Sequence, residues 1–112
     1  LPRFMEEFKF HGLDQVIWTD TMAERKERMR EGTCAAIALP GGIGTLDELI
    51  GTLTLAKLDK YGGKIYALNI DGFYAPLKSL LDHYVDTGML DARSRNLIEF
   101  PDTVAELVGH LD

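Results

Sequence analysis

Cysteine is nearly absent. A single one, Cys34, excludes an internal disulfide and a cysteine-built metal site, and it fits a reducing, cytoplasmic setting. The three histidines, His11, His83 and His110, are scattered without the paired spacing that holds a metal, so they read as surface or packing residues. No apolar run approaches the ~20 residues of a membrane span, and the first residues do not read as a basic-then-apolar leader. Positive charge is scarce as well. Twelve Lys and Arg against 18 Asp and Glu leave −6, which argues against generic binding to nucleic acid or to an anionic membrane. Local dipoles outweigh net charge at contact range, so a small phosphate is still an admissible ligand.

What is present is ordinary globular material. The composition, 46% hydrophobic and 27% charged over 112 residues, fits one domain spanning 1–112. A chain of this size buries roughly two-thirds of its unfolded surface, enough for a core without staples. "QVIWTD" (15–20) predicts a short strand and "TMAERKERMREG" (21–32) a helix. "AAIALP" (35–40) is a continuous small-apolar run, as expected of a strand covered on both faces. Leu46, Leu49, Leu53 and Ala56 recur at helical spacing, Ile50 and Leu55 widen that stripe, and the helix is expected over 45–58. After the turn "YGGK" come the strand "KIYALNI" (64–70) and a helix carrying Leu77, Leu80, Leu81, Tyr84 and Val85. Between them Asn69, Asp71 and Gly72 follow a strand end and could touch a ligand, although a plain turn accounts for them too. "NLIEF" (96–100) predicts a short strand, and Pro101 opens a last helix with Val104, Leu107, Val108 and Leu111 inward. Strands alternating with helices argue a parallel sheet of about four strands with right-handed crossovers, "AAIALP" being a central member. The opening "LPRFMEEFKFHGL" is an apolar segment with nothing before it to pack against, so the sequence reads as the later part of a longer domain or as a protomer completed by a partner.

The costliest feature is "LPGGIGTLDELIG" (39–51), which sets three glycines between a strand and a helix. First-turn amides of a helix lack internal partners and carry about half a positive charge, so this junction builds an anion site. Glycines admit a phosphate to those donors without a Cβ in the way. Gly41, Gly42, Ile43 and Gly44 would offer backbone amides, and Thr45 a hydroxyl in addition. The plainer reading is a tight connection whose glycines only allow positive φ. It matches neither the GxGxxG dinucleotide pattern nor a Walker loop. Three residues past Thr45, Glu48 completes a Thr-x-x-Glu capping box, with Thr45 as N-cap and Asp47 as a dipole-favoured charge in the first turn. A carboxylate placed there can also stabilise positive charge on a sugar or orient a water. In the preceding helix, Arg25 and Lys26 fall on the inward stripe of Met22 and Met29, while Glu24, Glu27, Arg28 and Glu31 take the other face. Long stems can snorkel. Cations there would also point near the carboxyl edge of the sheet, where open α/β folds bind ligands.

With Arg25, Lys26 and Met29 in "ERKERM", and Pro40, Gly41, Gly42, Gly44, Thr45 and Glu48 in "PGGIGTLDE", the sequence resembles the LONELY GUY proteins, cytokinin-activating phosphoribohydrolases. The likeness continues through "LNIDGFYAPLKSLLDHYVDTGML" into the last helix, and "LPRFM" is similar to a segment that follows an earlier glycine-rich half in that family. The resemblance implies a Rossmann-like parallel sheet with flanking helices, lacking the family's N-terminal strand–helix unit. It implies hydrolysis of a nucleoside 5′-monophosphate to free base and ribose 5-phosphate. Gly41 to Thr45 would hold the phosphate, Arg25 and Glu48 would be the catalytic pair, and Lys26 would add charge. It implies a homodimer and no metal or cofactor. Lys57 stands where relatives often have Gln, Leu55 where many have Trp, and Cys34 where an acid is common. The name lysine decarboxylase, often given to this family, finds no pyridoxal-phosphate signature here. Molybdenum-cofactor carrier proteins, which look similar in fold and glycine loop, supply a non-catalytic alternative, as does an inactive fragment. The Arg25/Glu48 pair discriminates, since a carrier needs no carboxylate at a sugar.

Overall fold

The computed structural model describes residues 15–18 and 35–111. Within them four strands, β1 (Gln15–Trp18), β2 (Ala35–Ala38), β3 (Lys64–Ala67) and β4 (Ile98–Glu99), form one sheet in the order β1-β2-β3-β4. Every pairing is parallel, with Val16 beside Ala36, Ala36 beside Ile65, and Ile65 beside Ile98. The helices are α1 (Ile43–Lys57), α2 (Ala75–Asp86), α3 (Ala92–Arg95) and α4 (Val104–Leu111), with a 3-10 turn at Ile70–Gly72.

Alternation along β2 divides the core in two. Ala36 and Ala38 face one side with Ile65, Ala67 and Ile98, under Leu49, Leu53 and Ala56 of α1 and Leu81 of α2. Ala35, Ile37 and Leu39 face the other side with Tyr66 and Leu68, under Leu107 and Leu111 of α4. A sheet that advances in one direction through right-handed crossovers puts its connecting helices on a single face, as α1 and α2 are. α4 follows β4 and covers the opposite face through Leu107 and Leu111. Covered from both sides, every residue of β2 is buried, as its unbroken apolar run requires.

Several boundaries differ from the sequence reading, each for a local reason. β2 stops at Ala38, two residues short, because Pro40 has no N–H for a ladder. β3 stops at Ala67, where the chain leaves to wind through Ile70–Gly72, with Asp71 at φ 54° and Gly72 at φ 71°. Pro101 does not open the last helix. Its carbonyl accepts from Asn69 N at 2.7 Å, and α4 begins three residues later. α3 has no counterpart in the sequence reading. Asp91 caps it, its carboxylate accepting from Ser94 N at 3.1 Å and Ser94 Oγ at 2.7 Å, and these bonds hold the Asp91 carboxyl below the usual carboxylate range. On α2, Leu81 is buried, whereas Leu80 and Tyr84 stand exposed.

Candidate active site at the carboxyl edge of the sheet

β2 runs out through Leu39 and Pro40 into Gly41 and Gly42, and α1 begins at once with Ile43. Gly42 is the N-cap, at φ −93° and ψ −157°, and no side chain caps it. That φ is open to any residue, and Gly44 lies inside the helix. The positive-φ glycines among the described residues, Gly72 and Gly88, are elsewhere. Backbone conformation therefore does not account for glycine at 42 or 44, which leaves the missing Cβ as the reason. The first helical bond, Leu46 N to Gly42 O, is 3.1 Å. The amides of Ile43, Gly44 and Thr45 precede it, where the helix dipole is positive. The Ile43 side chain is apolar and 82% exposed, so toward a phosphate this residue offers only its backbone N–H.

The capping box expected at Thr45 and Glu48 does not form. With the helix starting at Ile43, Thr45 is its third residue and Glu48 its sixth, and Asp47 lies beyond the first turn. The helix begins at Ile43, three residues before the Leu46 start that a Thr45 cap would dictate. Thr45 and Glu48 instead turn into the protein, Thr45 fully buried and Glu48 only 2% exposed. With Thr52, whose Oγ1 donates to Glu48 O at 2.9 Å, they form a polar margin along the buried stripe of Leu49, Leu53 and Ala56. A carboxylate in such a place is costly to desolvate. Arg25 and Lys26 lie outside the described residues.

Three loops meet at this edge. Tyr74 Oη donates to Leu39 O at 2.7 Å, and Tyr74 N donates to Asn69 Oδ1, also at 2.7 Å. Asn69 Nδ2 donates to Asp102 Oδ1 at 3.2 Å. The loops after β2, β3 and β4 are thus stitched together. Sequence reasoning singles out Asn69, Asp71 and Gly72 as turn residues within reach of a ligand, and misses Tyr74. No local pattern could have found a bond that spans 35 positions.

On the outer side of α1 and α2 an apolar groove of about 430 Å³ runs between Leu46, Ile50, Leu80, Tyr84 and Met89. Leu80 is 46% exposed, Tyr84 42% and Met89 71%. No group of acidic, histidine and cysteine side chains among the described residues is arranged to hold a metal ion. No described helix is long and apolar enough to cross a membrane.

Comparison with known proteins places these features in a family. The family described as "Possible lysine decarboxylase" matches residues 2–111. The chain is 41% identical over 90 residues to a probable cytokinin riboside 5′-monophosphate phosphoribohydrolase, LOG4, of Oryza sativa subsp. japonica, covering 80% of this chain and 39% of that protein. It is 40% identical over 91 residues to the cytokinin riboside 5′-monophosphate phosphoribohydrolase LOG3 of Arabidopsis thaliana, covering 81% and 42%. Against LOG2 of Arabidopsis thaliana, another so named, identity is 34% over 106 residues, covering 95% and 50%. The chain spans two-fifths to one-half of the length of these relatives. A match that runs through the glycine loop, α1 and all four strands shows that the chain belongs to the family described as possible lysine decarboxylase, with the LONELY GUY phosphoribohydrolases among its members.

Proposed function

We propose that this protein hydrolyses the N-glycosidic bond of nucleoside 5′-monophosphates, releasing free base and ribose 5-phosphate. The observation that carries the reading is Glu48, a carboxylate buried in the second turn of a helix entered through a glycine loop. Helix capping would explain a surface Glu at the helix start and does not explain this one. Side chains on a helix lean toward its N-terminus, so a carboxylate at this height is carried toward the loop. The 5′-phosphate sits on the amides of Gly41 to Thr45, and the ribose then reaches Glu48. As the bond between C1′ and the base nitrogen breaks, its electron pair leaves with the base, which takes up a proton. Glu48 stabilises the oxocarbenium-like C1′ and orients the water that adds there. Arg25 positions the carboxylate and helps hold the anionic substrate, with Lys26 adding charge. No cofactor is needed for these steps. The names of the relatives support this reaction, and a decarboxylase reading has no comparable support in the residues of the site.

The same reading includes a homodimer, formed through the groove of Leu46, Ile50, Leu80, Tyr84 and Met89, and a cytoplasmic location. The experiment is to incubate the full-length protein with a panel of nucleoside monophosphates and assay released base and ribose 5-phosphate. Release of base from at least one monophosphate, and none from the matching nucleosides, is expected. Binding without release would replace the enzyme by a carrier of a phosphorylated ligand.

A further inference from the structure

Gly41 and Gly42 carry no side chain, so the path of the loop between β2 and α1 depends on backbone groups. The nearest fixed point upstream is the Leu39–Pro40 peptide. Leu39 is 1% exposed, so its carbonyl needs a partner inside the protein. That partner is the hydroxyl of Tyr74, donating at 2.7 Å from the loop after β3. A peptide unit is planar, so fixing its oxygen fixes the plane from which Pro40 departs. Pro40 has its own φ locked by the ring, which leaves only its ψ between that plane and the entry into Gly41. Tyr74 is in turn held by Asn69 Oδ1 on its backbone N–H. Asn69 is held by Pro101 O on its own N–H and by Asp102 Oδ1 on its side-chain amide. The whole chain of bonds joins residues that lie within three positions of the ends of β2, β3 and β4, apart from Tyr74 itself.

We infer that Tyr74 is a positioning residue for the phosphate site: its hydroxyl, oriented through Asn69, sets the Leu39–Pro40 peptide and so the placement of the Gly41–Gly44 amides. This rests on reading Gly41 to Thr45 as the phosphate-binding loop. It assigns to the Asn69–Tyr74 segment a role in substrate affinity, without contact to the substrate.

Tyr74→Phe removes the hydroxyl and keeps the ring that packs edge-on against Phe73. In the full-length protein we expect three results. The backbone amide resonances of Gly41, Gly42 and Gly44 shift or broaden, while those of Gly109 and His110 on α4 stay in place. Affinity for ribose 5-phosphate falls about three- to tenfold, the scale of one lost neutral hydrogen bond. With the nucleotide substrate, KM rises by a similar factor while kcat stays within about twofold, as when binding common to ground and transition states is lost. A purely structural role would lower the melting temperature and leave KM and the glycine resonances alone, and that result overturns the inference. Asn69→Asp keeps an acceptor for Tyr74 N and removes the donor to Asp102. It should move the same glycine resonances, and it carries the test should Tyr74→Phe fold poorly. If neither variant moves them, the inference fails. If they move but the wild-type resonances do not respond to ribose 5-phosphate, the positioning stands and the phosphate reading falls.

Discussion

Among the described residues the pattern Thr-x-x-Glu occurs twice, and the two copies do different work. At Thr103 and Glu106 it serves the start of α4. Thr103 Oγ1 accepts from Glu106 N at 3.1 Å, and Glu106 Oε2 accepts from Asp102 N at 2.9 Å. At Thr45 and Glu48 the same letters stand inside a helix and are buried. The difference lies in where each helix starts: α4 begins at Val104, directly after Thr103, whereas α1 begins at Ile43, two residues before Thr45. The buried copy is therefore the better test of chemistry. Glu48→Gln preserves shape and removes charge, so the melting temperature should move little while nucleoside-monophosphate hydrolysis falls by at least ~10²-fold. Monophosphate binding should survive, because the loop amides remain. Arg25→Ala, assayed alongside, should weaken binding and turnover together.

Helix ends are the parts of the elements most open to measurement. Thr103→Ala removes the acceptor at the start of α4 and should cost about 1 kcal/mol, read as a lower denaturant midpoint with unchanged slope. Because α4 covers one face of the sheet through Leu107 and Leu111, the loss should register in global unfolding and not only as fraying. α3 supplies a pH-dependent case. The hydrogen bonds from Ser94 lower the Asp91 pKa in the folded state. A depressed carboxyl pKa contributes stability above the unfolded value of about 4, and that contribution is lost as pH falls through the lower, folded value. Asp91→Asn retains a good N-cap without the titration. Its stability, followed by chemical denaturation between about pH 7 and pH 3, should decline less steeply in the acid range than that of the wild type.

At the scale of the whole molecule, the sheet is closed by α1 and α2 on one face and by α4 on the other, yet α1 and α2 keep an apolar outer side. Leu80, Tyr84 and Met89 cluster there around one groove, unlike apolar residues scattered singly over a surface. A second copy of the chain would cover such a strip by two-fold symmetry. Light scattering at micromolar concentration should give the mass of a dimer, and Tyr84→Asp should give a monomer with intact circular dichroism. A monomeric wild type would remove the homodimer from the proposal.

The order of elements was legible without coordinates, because it rests on local signals: an unbroken apolar run at "AAIALP", helical spacing from Leu49 to Ala56, and glycines at a strand-to-helix junction. The parallel sheet of four strands with β2 inside it follows from that order and from the handedness of crossovers. Strand ends were less legible, since pairing stops where prolines and turns intervene. The two Thr-x-x-Glu segments could not be told apart from their four letters, because burial depends on where the helix starts relative to the sheet. Nor could Tyr74 be joined to Leu39, or Asn69 to Asp102. Those bonds exist because parallel strands deliver their carboxyl ends to one edge, bringing together loops that are more than 30 positions apart in the chain. Local patterning determined which elements form. Only the packing of the sheet decided which polar groups meet at its edge, since hydrogen bonds between loops need the strands beneath them in register.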